Sequence, residues 1–293
     1  MKVSVITPSY NQGGFIERTL LSVANQKGAN IEHVVVDGGS TDETLEILER
    51  YGTSIRWISE KDNGQADAVN KGILCTEGEI IGWLNSDDIY YPEAINQVVL
   101  FFLANPDVDV VYGMADHIDL SDQAFEAYPT EGWSFERLKK VCFICQPALF
   151  FRRRIVEKYG YLDDSLNYCM DYEYWLRLAN GGVKFAYLEK KLAGSRLYPG
   201  NKTLGFRVDV HKEINDMLRK SFGFVPARWI FNYAHVIADS RFNRSVTPKR
   251  YLVKMLAALI YGALRWNGKA SFGMVKRLSL GGEAVLYADR KAK

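Results

Sequence analysis

The sequence has few of the residues that build disulfide frameworks or zinc sites: its 293 residues include four cysteines and four histidines. Cys142 and Cys145 form a C-x-x-C pair, but no second pair follows at the spacing of a zinc site, and the histidines are scattered. Such sparse cysteines favour a reducing compartment, so we expect a cytoplasmic protein.

Long apolar runs are also absent. The longest, MLAALIYGAL at 255–264, has ten residues between Lys254 and Arg265, whereas a membrane span needs about 18 uncharged apolar residues. The N-terminal segment VSVITPSYNQGG turns polar too early for a signal peptide. We therefore expect neither a signal peptide nor a membrane-spanning helix.

The common glycine-rich phosphate loops are missing as well. No G-x-G-x-x-G follows the first predicted strand, which argues against a dinucleotide-binding domain. The loop TPSYNQGGF contains no lysine or arginine that could hold a triphosphate. A nucleotidyltransferase is therefore a less favoured alternative.

Charge is balanced overall but not along the chain. Residues 241–293 carry 12 Lys or Arg against 2 Asp or Glu, a net charge of +10, and residues 1–240 carry a net charge of −8. A basic tail on an acidic body indicates contact with an anionic surface, here a membrane rather than nucleic acid. A tail helix that packs on the rest of the protein or on a second copy stays open as the other interpretation.

Strand-like and helix-like segments alternate through the N-terminal half. This alternation predicts βαβ units and a mostly parallel, Rossmann-like α/β sheet with flanking helices. From about residue 203 the pattern is helical, so we predict a first domain at 1–205 and a helical, basic C-terminal extension at 206–293. The predicted strands include KVSVITPSY, IEHVVVDGG, SIRWISE, EIIGWL, VDVVYG, VCFICQPALFF and VKFAYLEKKLAGSRLY.

Polar residues stand at the carboxyl end of each of the first four predicted strands. Ligands of parallel sheets bind at this edge, so we expect these side chains to converge on one crevice. They are Pro8, Ser9 and Tyr10 after the first strand, Asp37 after the second, Asp62 after the third, and Asp87 and Asp88 after the fourth.

Asp87 and Asp88 need a partner, because adjacent carboxylates repel one another and each raises the pKa of the other. Two carboxylates at a strand end suit a hard divalent cation such as Mn²⁺ or Mg²⁺, which shares its oxygen ligands with a diphosphate. The pair follows the buried run EIIGWL directly. The sequence therefore predicts a divalent cation site that serves a phosphate-bearing substrate.

Five segments appear in a characteristic order: VSVITPSYNQ, VVVDGGSTDET, SEKDNGQADAVNKG, WLNSDDIYYPEA and YCMDYEYWLRLA. Together they resemble a family 2 glycosyltransferase of the GT-A fold, over roughly residues 1–205. The resemblance implies an inverting, metal-dependent transfer of a hexose from a nucleotide sugar. It implies that Asp88 and Asp87 bind the metal, that Asp171 is the catalytic base, and that the nucleotide lies near Pro8, Ser9, Tyr10, Asp37, Asp62, Asn70, Lys71 and Asp87.

The residues around Asp171 allow a second interpretation. Asp171 stands at the start of a predicted helix, where a carboxylate is favoured by the helix dipole and can simply cap the helix. Without the resemblance, the capping role is the stronger of the two. Glu173 is the alternative base, although it lies on a different face of the helix.

Three departures from the family pattern matter. Many members carry a second aspartate where this chain has Gly38, an acidic residue where it has Met170, and a histidine where it has Tyr198. Arg196 or Lys202 could replace the charge of that histidine. These departures also motivate an alternative hypothesis, a non-catalytic protein that binds nucleotide sugars or docks on a membrane as a scaffold.

The resemblance also suggests substrates and a location. We expect a nucleotide sugar, with UDP as the favoured nucleotide, as donor and the hydroxyl of a glycan or of a lipid-linked glycan as acceptor, in surface polysaccharide biosynthesis. We expect no nucleic acid partner. A protein with this task would be cytoplasmic or peripheral at the inner face of the membrane, where the basic tail could bind.

Overall fold

The computed structural model describes residues 1–52 and 54–269. Within these limits the chain forms two compact units. The first unit comprises residues 1–138 and 142–199, and the second comprises residues 139–141 and the chain from residue 200 onward. The predicted site residues all belong to the first unit.

The first unit is built on a nine-stranded sheet in the order β3-β2-β1-β4-β8-β6-β9-β5, with β7 paired to β6. The first four strands in this order run parallel, and β6 pairs with β9 in parallel, whereas β5, β7 and β8 are antiparallel to their neighbours. The predicted α/β fold is confirmed. The strands are β1 Lys2–Ser9, β2 Asn30–Asp37, β3 Arg56–Ser59, β4 Ile80–Trp83, β5 Ile89–Tyr90, β6 Val110–Ile118, β7 Ala124–Ala127, β8 Leu149–Arg152 and β9 Phe185–Arg196.

Helices flank this sheet and bury one apolar face each. One core cluster contains Val5 and Ile80 of the sheet together with Ile95 and Val98 of a helix, at the i, i+3 spacing of one helix face. Because the helices cover the parallel strands, the polar strand ends are left to form the site. The helices of this unit are α1 Gly13–Ala24, α2 Thr44–Arg50, α3 Gln65–Leu74, α4 Ala94–Ala104, α5 Phe135–Leu138, α6 Arg154–Tyr159 and α7 Met170–Asn180.

Two strand predictions were wrong in their limits. The run VCFICQPALFF is a strand only at β8, because residues 141–145 lack regular structure and a 3₁₀ turn, Gln146–Ala148, precedes the strand. The run after Gly182 forms one long strand, β9, instead of several. β5 was not predicted at all, because its two residues follow the aspartate pair directly.

The arginine run at 152–154 has a structural role. Arg152 Nε donates to Val108 O at 2.8 Å, and Arg153 Nε donates to Gly78 O at 2.7 Å. Arg154 forms an ion pair with Asp109 at 2.6 Å. The run thus ties β8 to the loops around it.

Gly72 sets the approach of α3 to β1. A Cβ at this position would lie 2.3 Å from Ile6 Cγ2, a branched and fully buried side chain with little freedom to move. We expect Gly72→Ala to lower the free energy of unfolding by about 1–3 kcal/mol, measured by urea denaturation.

Gly14→Ala is the matched control, because Gly14 also lies in a helix but has open space where a Cβ would be. This change should leave stability unaltered or raise it by up to about 1 kcal/mol through helix propensity. Equal stabilities of the two variants would contradict the close contact of α3 with β1.

The second unit is helical, with α8 Lys202–Gly205, α9 Arg207–Phe222, α10 Ala227–Asp239 and α11 Pro248–Asn267. α11 packs on α10 through Tyr233 and Trp266, whose rings meet edge to face at 4.9 Å. Trp266 Nε1 also donates to Asp216 Oδ1 of α9 at 2.7 Å. In the described part of the chain, no helix combines the length and apolar character needed to cross a membrane.

Candidate active site

The loop after β1 is fixed by the loop after β2. The backbone N–H groups of Asn11, Gln12 and Gly13 donate in turn to Ser40 Oγ, Thr44 Oγ1 and Asp42 Oδ2, at 2.7, 2.9 and 3.0 Å. Asn11 Oδ1 accepts from the N–H of Thr41 at 2.8 Å, with Asn11 at a positive φ of 52°. Four hydrogen bonds therefore join the loop after β1 to the loop after β2.

Asp37 is fully buried at the end of β2, where its carboxylate organises the following turn. Oδ2 accepts from the N–H groups of Gly39 and Ser40 at 3.0 and 2.8 Å and from Ser59 Oγ at 2.7 Å, and Oδ1 accepts from Ser40 Oγ at 2.5 Å. These bonds satisfy both oxygens. In the free protein Asp37 shapes the loop.

Asp62 lies over Gly38. A Cβ built on Gly38 would be 2.8 Å from Asp62 Oδ2, so the Asp62 carboxylate occupies the space that a side chain at position 38 would need. Asp62 Oδ1 accepts from the N–H of Gly64 at 2.9 Å, at the start of α3. The carboxylate of Asp62, from the loop after β3, thus fills the space beside Gly38, where the family pattern has a second aspartate.

The Asp87–Asp88 turn is held from two sides. Thr19 Oγ1 on α1 lies 2.9 and 2.8 Å from the carbonyl oxygens of Ser86 and Asp88. Arg196, at the end of β9, donates its backbone N–H to Asp88 Oδ1 and its Nε–H to Asp87 O, both at 2.8 Å. The remaining nitrogens of the guanidinium reach Asp119 O and the Asp122 carboxylate. Arg196 therefore braces the turn from the interior and is not directed at a ligand.

Asn85 connects this turn to the rest of the crevice. Its Oδ1 accepts from Gln65 Nε2 and Trp83 Nε1 at 2.7 and 2.8 Å, and its Nδ2 donates to Gln146 Oε1 at 2.9 Å. The contact from Nδ2 to Asp88 Oδ2 is longer, at 3.3 Å. One amide thus links α3, β4 and the turn before β8 to the aspartate pair.

Burial raises the pKa of Asp88 well above its usual value, and the negative charge of Asp87 raises it further. Among residues 1–52 and 54–269, no three acidic, cysteine or histidine side chains cluster as a complete metal site. Two adjacent carboxylates fit Mn²⁺ or Mg²⁺, which fill their other positions with water and phosphate oxygens. The donor set of Asp87 and Asp88 therefore suits such a cation.

Tyr198 stands where the family pattern has a histidine. Its hydroxyl donates to Asp87 Oδ2 at 3.3 Å, and its ring lies 5.1 Å from that of Phe15. Burial and the charge of Asp87 raise the pKa of Tyr198 to about 12, so the hydroxyl remains a donor at neutral pH. A neutral phenol thus contacts the Asp87 carboxylate where the family pattern has a histidine, while Arg196 contacts the pair through its backbone N–H and its Nε–H.

Asp171 lies in the first turn of α7, and its Oδ1 accepts from the N–H of Tyr172 at 2.7 Å. Asp171 is partly exposed. The pKa of Cys145 is raised well above its usual value by burial first, and also by the negative charges of Asp88 and Asp171. Asp88 and Asp171 thus stand on two separate elements, and Asp88 is the more buried of the two.

The other predicted site residues lie in varied surroundings. Ser9 is buried, and its Oγ has no hydrogen-bond partner among the residues that the structure describes, whereas Tyr10 is exposed and Pro8 is buried. Asn70 uses both polar atoms on the backbone of Leu162, at 3.0 Å each. Lys71 forms ion pairs with Glu60 at 2.7 Å and Asp67 at 3.4 Å. A nucleotide contact stays a prediction for each of these residues.

Two solved structures share this fold. TarS of S. aureus, residues 1–349 in complex with UDP-GlcNAc, superposes with a TM-score of 0.60 at 19% identity, over 91% of this chain and 82% of TarS 1–349. The mannosyltransferase PcManGT of Pyrobaculum calidifontis, in complex with GDP-Man and Mn²⁺, gives a TM-score of 0.60 at 19% identity, over 95% of this chain and 79% of PcManGT. The fold is therefore the GT-A fold of glycosyltransferases.

Sequence comparison defines the family. Residues 4–160, more than half of the chain, match Glycosyl transferase family 2, and the chain belongs to that family. An uncharacterized glycosyltransferase of Rickettsia typhi is 31% identical over 215 residues, which cover 69% of this chain and 65% of the relative. Chondroitin synthase of Escherichia coli is 29% identical over 215 residues, or 72% of this chain and 31% of the synthase. The chain thus spans just under two thirds of the first relative and about a third of the second.

Proposed function

We propose that the protein transfers a hexose from a nucleotide sugar to the hydroxyl of an acceptor, with inversion at the anomeric carbon. The observations that support this most are two kinds of carboxylate: the buried Asp88 beside Asp87, in the turn that Arg196 holds, and the partly exposed Asp171 in the first turn of α7. The first pair suits a cation and a diphosphate. The second suits proton removal from an alcohol.

The donor would bind along the carboxyl ends of β1 to β4. Asp62, which lies over Gly38, would face the base or the ribose, and the unpartnered Ser9 Oγ is available to the nucleotide. Asp37 would act by holding the loop, since its oxygens already have donors within the chain. UDP is the favoured nucleotide, and TarS was solved with UDP-GlcNAc.

Asp87 and Asp88 would hold the divalent cation. When bound, the cation supplies positive charge next to the leaving diphosphate. Asp171 would take the proton of the acceptor hydroxyl while the hydroxyl oxygen attacks the anomeric carbon and the bond to the diphosphate breaks. A single displacement inverts the anomeric centre, so no second carboxylate acts as a nucleophile.

The side chain of Arg196 should affect cation affinity indirectly, by positioning the Asp87–Asp88 turn. We expect Arg196→Met to weaken Mn²⁺ binding by about 10–100-fold, the usual effect of losing a group that orients a ligand. Its Nε–H to Asp87 O would be lost while its backbone N–H to Asp88 remains. Calorimetric titration of Mn²⁺ into the nucleotide-free protein measures this effect.

Arg18→Met is the control. Arg18 contacts Leu120 O and the Asp122 carboxylate, in the loop that Arg196 also contacts, but these bonds do not reach Asp87 or Asp88. It should bind Mn²⁺ as the parent protein does. An equal loss in both variants would show that the Asp122 loop, and not the contact with Asp87, sets the affinity.

We propose a glycan or lipid-linked glycan as acceptor, in polysaccharide biosynthesis at the cytoplasmic face of a membrane. Chondroitin synthase, a polysaccharide-building relative by its name, supports the acceptor class. The basic second unit supports the location.

The proposal is tested by thermal unfolding with UDP, GDP and their sugars, each with and without Mn²⁺. A true donor with Mn²⁺ at about 100 times its dissociation constant should raise the melting temperature by about 5 °C or more. The protein should then release nucleoside diphosphate from that donor in the presence of Mn²⁺, slowly with water and faster with an acceptor sugar. Stabilisation without any release, across all acceptors tried, would favour the non-catalytic alternative, and no stabilisation by any nucleotide would reject both.

A further inference from the structure

α11 is apolar on two opposite faces. The inner face, which includes Tyr251, Met255, Leu259 and Trp266, is buried within the helical unit. Gly262 on the same face lets α11 approach α10, since a Cβ there would lie 3.0 Å from Ile230 Cγ2. This face packs α11 within the helical unit, whereas the other face has no such packing partner among the described residues.

The outer face exposes a continuous apolar stripe. Val253, Ile260 and Leu264 repeat at the spacing of one helix side, and Val253 and Leu264 are 68% and 53% exposed. Leu252 and Tyr261 flank the stripe and are also exposed. A helix on the surface of a soluble protein normally carries polar residues at these positions.

The stripe lies within a strongly basic segment. Residues 240–269 contain seven Lys or Arg and no Asp or Glu. Lys249, Arg250 and Lys254 stand beside the stripe on the N-terminal half of α11, and Arg265 stands at its other end. An apolar stripe with basic neighbours is the composition of helices that lie in the interface of an anionic membrane.

We propose that the outer face of α11 docks on anionic phospholipids, with the helix lying along the membrane surface. A second copy of the chain fits this face less well, because two such segments would bring like charges together and lysine is depleted in the cores of protein interfaces. Residues 270–293 do not offset the charge, since they contain five Lys or Arg against two Asp or Glu. The inference does not depend on sugar transfer, because lipid binding is measured separately.

Flotation of the full chain with vesicles tests the proposal. Vesicles of phosphatidylglycerol and phosphatidylcholine should carry the protein to the top of the gradient, whereas phosphatidylcholine alone should not, and raised salt should release it. Val253→Asp combined with Leu264→Asp should reduce the partition coefficient by at least about tenfold. Lys249→Ala, Arg250→Ala and Lys254→Ala together should reduce it by about 100-fold, at roughly fivefold for each basic residue.

Leu100→Asp combined with Leu103→Asp is the matched control. These residues expose 54% and 59% of their surface on α4, without the basic segment, so this variant should float as the parent does. Circular dichroism and thermal unfolding show whether each variant is folded. If the Val253→Asp/Leu264→Asp variant is not folded, the result for the Lys249→Ala/Arg250→Ala/Lys254→Ala variant decides the test. Absence of flotation, an unchanged partition of the α11 variants, or a dimer that the Val253/Leu264 variant dissolves would each overturn the proposal.

Discussion

Asp171→Asn is expected to slow sugar transfer by about 10²–10⁴-fold, the usual contribution of a positioned base. Asparagine keeps the size of the side chain and an oxygen for the N–H of Tyr172, but it cannot accept a proton from the acceptor hydroxyl. Because the loss falls on the chemical step, kcat should drop while the affinity for the nucleotide sugar is unchanged. Steady-state rates with the identified donor, together with calorimetric titration of that donor, measure both quantities.

Glu173→Gln is the control on the same helix. The Glu173 carboxylate forms an ion pair with Arg177 at 2.9 Å, which places it in a structural contact. We expect it to keep most of its activity. A large loss in Glu173→Gln with full turnover in Asp171→Asn would transfer the role of base to Glu173.

Asp88→Asn is expected to have opposite effects on cation binding and on stability. Loss of a residue that only positions a metal ligand typically weakens binding by about 10–100-fold. Mn²⁺ affinity should fall by more than this, because the substitution removes the charge of a direct ligand. The cation-free protein should unfold at a higher temperature, since burial and the charge of Asp87 both disfavour the ionised Asp88. The new amide oxygen can still accept from Arg196 N, and the long 3.3 Å contact with Asn85 is the bond that is lost.

Asp116→Asn separates this effect from a general response to removing a buried acid. Asp116 is also buried, but it accepts from Lys191 Nζ at 2.8 Å and from Tyr91 Oη at 2.9 Å. Its replacement should lower stability by about 1–3 kcal/mol and leave Mn²⁺ affinity unchanged. If Asp88→Asn also lowers stability, the Asp88 carboxylate is structural and the cation site must be sought elsewhere.

The alternation of strands and helices predicted the parallel half of the sheet because short strand-like runs there are separated by segments with helical spacing. β1, β2 and β4 follow apolar runs closely, since both faces of these strands are covered. β5 has two residues and no period, and it forms because β9 passes beside it. Residues 141–145 are apolar without being a strand, because the 3₁₀ turn at Gln146 ends the segment before it can pair.

In the candidate site, the sequence predicted the acidic residues but not the contacts that hold them. Asp37, Asp62, Asp87 and Asp88 stand at strand ends in the sequence itself, so the crevice could be inferred from topology. The groups that hold the Asp87–Asp88 turn were not predicted in that role: Thr19 was not named, and Arg196 was named only as a substitute for the charge of a histidine. Their contacts with Asp88 cross 69 and 108 positions of the chain. Arg196 in particular uses its backbone N–H on Asp88, and no side-chain pattern predicts such a contact.

The hydrogen bonds between the segments at 11–13 and 40–44 have a consequence for how such enzymes diversify. Each of these segments supplies the partner that the other needs, so neither keeps its shape when transplanted alone. A chimera that takes a new nucleotide preference from a relative should therefore exchange both segments at once. Swapping one would leave several backbone amide groups without the acceptors that hold both segments in place.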